Sequence, residues 1–130
     1  MIRIISNYVV KVPVELSNDV SIGQIVQMET SNNQVYAVLS DGSAPLGFVT
    51  AITVSYAAGV YTKEAEVSFA RGYLETHESY DVHDNYPVNA NLYVNNGKLT
   101  TTRWNSNYPA IGMVIQPPSA LDPTLKMVWF

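Results

Sequence analysis

"NLYVNNGKLTT", residues 91–101, decides how the rest of the chain is read. Asn96-Gly97 sits between two short runs of strand-forming residues, and a two-residue type I′ turn favours that pair because both central residues take positive φ. The stretch predicts a tight β-hairpin. Outward from it the same texture continues. Apolar residues fall in short β-branched and aromatic runs, among them "GQIVQM" (23–28), "QVYAVL" (34–39), "GFVTAITVSY" (47–56), "EAEVSFARGYL" (64–74), "IGMVIQ" (111–116) and "LKMVWF" (125–130). Turn residues bound most of them: Asn32-Asn33, Asp41-Gly42, Ala58-Gly59 and Pro117-Pro118. Ala65, Val67 and Phe69 alternate with Glu64, Glu66 and Ser68, which puts one face inward and one in solvent. Nothing reads as a long amphipathic helix, so an all-β chain is expected.

The surroundings of the hairpin recur: "SAPLGFV" (43–49) is echoed by "YPAIGMV" (108–114). From Gly23 the order is strand, Asn-rich turn, strand, polar loop, Pro45, Gly47, strand, hairpin and strand. From Asn89 it is strand, turn at Asn96-Gly97, strand, polar loop, Pro109, Gly112, strand, Pro-rich loop and strand. The chain reads as one domain, a small β-sandwich or β-barrel built from two pattern-related β-units. Residues 1–19 are expected as an N-terminal strand or arm, 20–74 as the first unit, 75–87 as an acidic linker and 88–130 as the second unit. Pro45 and Pro109 fix φ and withhold an amide donor at a sheet edge. Gly47 and Gly112 permit a bulge or a close backbone approach as the next strand begins.

Composition narrows the function. With 47% hydrophobic residues the 130-residue chain can bury a real core. It holds no apolar run near the roughly 20 residues that span a bilayer. "MIRIISNYVVKV" lacks the long apolar region and small-residue cleavage site of a signal peptide, so neither a membrane partner nor the usual secretory route is expected. A net charge of −4 with seven scattered basic residues offers no stripe to neutralise phosphates, which argues against nucleic acid. Only 14% of residues are charged, against about 25% in ordinary soluble proteins. Asn, Ser, Thr and Tyr, or a partner, must cover the surface, as in an assembly component. The absence of cysteine excludes disulfides, thiolate zinc sites and a cysteine nucleophile.

His77, Glu78, Asp81, His83 and Asp84 are the one cluster of metal-type ligands, in an acidic stretch that otherwise reads as a solvated linker. His77, His83 and Asp81 are the weak candidates, because six residues between the histidines match neither a helical zinc pair nor an alternate-residue strand pair. No G-x-S-x-G elbow, EF-hand loop or phosphate-cradling glycine loop occurs, so no enzyme and no cofactor are expected. The nine tyrosines and two tryptophans are read mainly as half-buried strand residues. Arg103, Trp104 and Tyr108 lie in a polar loop and have the composition of a binding hot spot. The chain also ends on Trp129-Phe130, and so apolar an end is expected to pair into a sheet or dock on a neighbour.

"IGQIVQMETSNNQVYAVLSDGSAPLGFVTAI" (22–52), with its echo "NANLYVNNGKLTTTRWNSNYPAIGMVIQ" (89–116), resembles the small head decoration proteins, or capsid cement proteins, of tailed bacteriophages and related head-fibre bases. The resemblance covers about residues 20–72 and 88–130. It departs at Pro109-Ala110-Ile111-Gly112, one residue longer than Pro45-Leu46-Gly47, and in the His-containing acidic segment. It implies a virion protein on the capsid exterior, made in the host cytoplasm, that binds the major capsid protein, commonly as trimers, and locks the shell against DNA pressure. Under that implication Ile2, Ile4, Tyr8 and Val10 are the first expected contacts, unless they are first-strand core residues. Pro45, Arg103, Trp104, Tyr108, Trp129 and Phe130 follow as capsid or subunit contacts. The alternatives are a carbohydrate-binding β-sandwich module using Trp104 and Tyr108, and, more weakly, a metal-dependent β-barrel enzyme at His77 and His83.

Overall fold

The structure, a computed structural model, describes residues 9–16, 18–69 and 71–130. Its strands are β1 (Val9–Val14), β2 (Ile25–Ser31), β3 (Gln34–Leu39), β4 (Gly47–Ala57), β5 (Val60–Ser68), β6 (Gly72–Thr76), β7 (Asn91–Asn95), β8 (Lys98–Thr100), β9 (Gly112–Gln116) and β10 (Leu125–Trp129). They form two five-stranded antiparallel sheets, ordered β1-β5-β4-β2-β3 and β6-β10-β9-β7-β8. Adding five to each strand number of the first order gives the second. The all-β class expected from the sequence is present, and the pattern repeat is a repeat of topology.

The repeat extends to register. Gly47 lies opposite Val26 as Gly112 lies opposite Leu92, and Phe48 opposite Ser68 as Met113 lies opposite Val128. Each returning strand then shifts register at the same place: the pairing skips Thr50 after Val49 and Ile115 after Val114. Backbone bonds agree to within a tenth of an ångström. Leu46 N–H donates to Val26 O at 2.9 Å, and Ile111 N–H to Leu92 O at 2.8 Å; Gly23 N–H donates to Val49 O at 2.8 Å, and Asn89 N–H to Val114 O at 2.9 Å. Even the cross-strand charges correspond, with signs exchanged: Lys11 faces Glu66, and Glu75 faces Lys126.

This geometry explains the repeated glycine. A Cβ on Gly47 would stand 2.1 Å from the Ser68 carbonyl oxygen, and one on Gly112 would stand 2.2 Å from that of Val128. Neither glycine has positive φ, so close approach alone requires it. Turn chemistry requires Gly59 and Gly97. The hairpin turns at Asn32-Asn33, Ala58-Gly59 and Asn96-Gly97 have positive φ at both residues, as type I′ demands.

Two boundaries differ from the sequence reading. "EAEVSFARGYL" is not one strand: β5 ends at Ser68 in the first sheet and β6 begins at Gly72 in the second. The run from Val9 belongs to the first sheet, since β1 pairs with β5 along its length. Each unit therefore opens with the strand that closes its sheet against the last one, which a linear comparison begun at the Asn-containing turns misses. The segment expected as a linker, 75–87, is bound to the second unit. Glu75 and Thr76 lie in β6, and Tyr80 forms a parallel bridge with Leu99 of β8.

Each sheet curls over its own apolar cluster. Val12, Val14, Val20, Val26, Ala37, Val49, Ala65 and Val67 fill the first, and its outer strands β1 and β3 come together. The second gathers Leu92, Val94, Leu99, Val114, Leu125, Met127 and Trp129, with Tyr80 and Tyr86 from the strap. Ile25, from the first sheet, is buried in the second cluster. The turn of the β7–β8 hairpin docks beside it: Ile25 N–H donates to Gly97 O at 2.7 Å, and Gly97 N–H to Ser40 O at 2.8 Å. Gly47→Ala and Gly112→Ala should each cost about 3 kcal/mol, the upper range for overpacking. Gly59→Ala, which meets nothing within 4 Å, should cost about 1 kcal/mol from its positive φ alone. Urea denaturation of the three variants checks the order.

Candidate interaction surface

The units part company at one element. β9 and β10 have five residues each, whereas β4 has eleven and β5 nine. The Ile52–Ala65 pair is the last whose side chains reach the first core. Beyond it the ladder runs on through five more pairs, from Thr53–Glu64 to Ala57–Val60. Support falls away as it does so. β2 pairs with β4 only at Gly47 and Phe48, and β1 follows β5 only as far as Lys63.

The result is a two-stranded arm that is wet on both faces and apolar. Val54, Tyr56, Val60 and Tyr61 are each more than half exposed. The alternation that buries Val49 and Ile52 continues past the core and leaves Val54 and Tyr56 without a layer beneath them. Tyr56 and Tyr61, directly opposite, hold their rings 4.7 Å apart. No charged residue occurs from Gly42 to Thr62, so the outer part of the arm lacks the lysines and prolines with which exposed edges are usually blunted, and its charges, Lys63 and Glu64, stand at the base. Its tip places Ala58 at φ 51°, where Asn is preferred, and so presents methyl groups instead of amides. A free two-stranded hairpin is marginal in water; this one is anchored at its base and available at its tip.

The residues named from sequence fall in several places. Ile2, Ile4 and Tyr8 lie outside the described residues. Val10 pairs with Val67 and packs against the first core, half-buried. Trp129, expected as a contact, is a core residue: it is 3% exposed, meets Phe48 edge-on at 5.2 Å, and carries the Arg71 guanidinium 4.5 Å above its ring. Strand pairing on both flanks put it there, while Phe130, one residue on, is exposed. Pro45 is half-buried in the loop before β4. Trp104 is 61% exposed. Arg103 turns inward, its Nε–H donating to Tyr108 O at 3.0 Å and its guanidinium lying over Tyr93. Tyr108 is half-buried, with its ring against Gly42. The loop offers one free aromatic ring.

The histidine segment is a strap held by several of its side chains, while those of Glu78, Val82 and His83 are exposed. The His77 Nδ1 lies 2.8 Å from Thr124 Oγ1, and Asp81 Oδ1 accepts from the His83 backbone N–H. Asp84 accepts from the Thr100 hydroxyl. Among the described residues no three His, Asp or Glu side chains gather as a metal site. Tyr86 secures the strap from beneath, donating to Asp81 O at 2.7 Å and sharing that proton with Leu99 O at 3.1 Å.

The arm was missed in the sequence because its apolar residues read as ordinary strand. Two signals could have found it: strand runs nearly twice the usual five to six residues, and 21 consecutive positions without charge, 42–62. No protein-family model matches the chain, and no curated protein is similar to it in sequence.

Burial, with Asp84 and Asp81 nearby, pushes the Tyr86 phenol well above its ordinary value. An unfolded tyrosine ionises near pH 10, so above that pH the unfolded state loses a proton that the native state keeps. Stability should hold below about pH 10 and fall above it, at up to about 1.4 kcal/mol per pH unit for this one group. In Tyr86→Phe the alkaline limb of a stability–pH curve should be shallower by that one-proton slope, although the variant is less stable at neutral pH.

Proposed function

We propose that this chain is a non-enzymatic virion structural protein that binds the outer surface of an icosahedral phage capsid and stabilises it. The observation that carries the reading is the β4–β5 arm, a hairpin projecting beyond its own core whose outer part is apolar and uncharged. An apolar contact element on a β scaffold is what a clamp between capsid subunits needs, since aromatic and aliphatic anchors supply most of an interface's energy. The low proportion of charge supports it, because a surface covered by partners has less need of charge for solubility. The sequence pattern of strand, turn, strand, loop and Pro-Gly strand, which resembles decoration proteins, points the same way. Major capsid protein is the partner, with the chain bound as a homo-oligomer, a trimer being favoured. Val54, Tyr56, Val60 and Tyr61 join Trp104 and Phe130 as contact residues.

A second reading rests on Trp104. An exposed indole beside asparagines, in a loop at 101–111, suits stacking on a sugar ring. Tyr108 does not offer a second platform, since its ring is packed on Gly42.

The test is sedimentation of the purified chain with emptied, expanded phage heads. Saturable binding that raises the temperature of shell disruption is expected. Val60→Asp with Tyr61→Ser should cut occupancy at least tenfold, because a buried charge and a lost aromatic anchor each cost more than about 1.4 kcal/mol. The same substitutions should move the unfolding midpoint little, as both residues lie outside the cores. A chain that ignores shells but loses glycan binding on Trp104→Ala would establish the second reading instead.

A further inference from the structure

The outer edge of β4 is open from Ala51 to Ala57. β2 leaves it after Phe48, and no other described strand pairs there. The pairing pattern fixes which groups face outward. In a two-residue hairpin the residues flanking the turn, here Ala57 and Val60, exchange hydrogen bonds. Alternate residues then point their N–H and C=O away from β5, so Ile52, Val54 and Tyr56 present theirs at the free edge.

The side chains along that edge read Ala51-Ile52-Thr53-Val54-Ser55-Tyr56-Ala57. The order is symmetric about Val54 in size and polarity: small, large apolar, hydroxyl, valine, hydroxyl, large apolar, small. We infer that this edge pairs with the same edge of a second copy of the chain, antiparallel and two-fold about Val54. In that register Val54 faces its own mate, Ile52 faces Tyr56, Thr53 faces Ser55, and Ala51 faces Ala57. The Ile52–Tyr56 and Thr53–Ser55 pairs are favourable cross-strand combinations, β-branched with aromatic and hydroxyl with hydroxyl, and no like charges meet. The outward groups of Ile52, Val54 and Tyr56 meet in register, giving six main-chain hydrogen bonds. A two-fold contact uses one patch on both partners, and a palindromic edge fulfils that requirement. An unrelated strand would match the backbone but have no reason to match this order.

The contact turns two projecting hairpins into one four-stranded sheet and places Val54, Tyr56 and Tyr61 of both copies on a common face. The two copies join whether or not a shell is present, so the inference stands apart from the capsid reading. Its area falls in the class of transient interfaces, below about 1,200 Å². Pairing should therefore appear in the upper part of a concentration series reaching about 1 mM.

The chain has no cysteine, so one introduced thiol is unique. At the two-fold axis Val54→Cys would bring two Cα atoms to about 5.5 Å, within the span of a disulfide. In Ala51→Cys the thiols would lie six residues apart along the paired strands, about 20 Å. Mild oxidation should convert most of Val54→Cys to a covalent dimer and leave Ala51→Cys monomeric. Light scattering of the unmodified chain should show a monomer–dimer equilibrium that Val54→Lys, opposing two charges, abolishes. Equal cross-linking at both positions, a dimer indifferent to Val54→Lys, or a chain monomeric throughout the series with Val54→Cys uncross-linked would each overturn the inference. Val54 is more than half exposed, so these variants leave the fold intact, and circular dichroism verifies that.

Discussion

At Gly47 and Gly112 the returning strand of each unit runs against a carbonyl of its neighbour, with no room for a Cβ. Much of the sheet order follows from that approach. The strand must leave its loop, lie for two residues between β2 and β5 or between β7 and β10, and then go on along β5 or β10. A backbone held between two neighbours as soon as it starts has to run close to both. The register shifts at Thr50 and Ile115 follow from the same manoeuvre, since one extra residue re-aims the strand after the close passage. Proline precedes each glycine because the loop there needs a fixed φ and no amide donor.

The two units are joined by elements that each reach into the other. Ile25 leaves its own sheet's cluster for the second, and the Gly97 turn takes backbone bonds from Ile25 and gives one to Ser40. A Cβ at Gly97 would press on Leu39 at 2.7 Å, so the glycine that forms the turn also admits it to the joint. Across the chain crossing, Arg71 caps Trp129 and donates to the Leu46 carbonyl at 2.8 Å. Phe48, the residue after the close-packed Gly47, completes the joint against Trp129. Unfolding the first sheet would strip Ile25 and Phe48 from the second's core, and unfolding the second would take the Gly97 turn away from Ile25 and Ser40, so the sheets support one another.

Local chemistry was legible in the sequence; pairing at a distance was not. Asn96-Gly97 announced its type I′ turn because only a few residues tolerate positive φ, and Pro45-Gly47 announced its twin because close packing admits only glycine. The strands that open each unit were hidden. β1 and β6 are joined to their sheets by β5 and β10, their most distant partners in the chain, and nothing local in "VVKVPV" or "GYLET" names that partner. Trp129 was legible as a residue that pairs into a sheet or docks on a neighbour, but not as which of the two, for the same reason. Its burial depends on strands 13 to 57 residues away, which the last six residues do not encode. The arm was illegible because a strand over a core and a strand over solvent have the same alternation; only length and missing charge separate them.

The second unit shows what the fold requires at the place where the arm stands. There β9 and β10 end after five residues each, and the connection 117–124 is a loop that begins with two prolines. The sheet order, the close glycine, the register shift and the core are all complete without further ladder. The first unit adds five pairs beyond its core, leaves valine and tyrosine in water, carries no charge in the three pairs nearest the tip, and sets an alanine at positive φ at the tip itself. Exposed apolar residues and a strained tip cost stability or solubility in the isolated chain, and only the two pairs at the base, where β1 runs beside Glu64 and Lys63, serve the sheet. The interface proposed above would account for an element with those costs, since the same apolar residues and open main-chain edge become favourable once water is excluded.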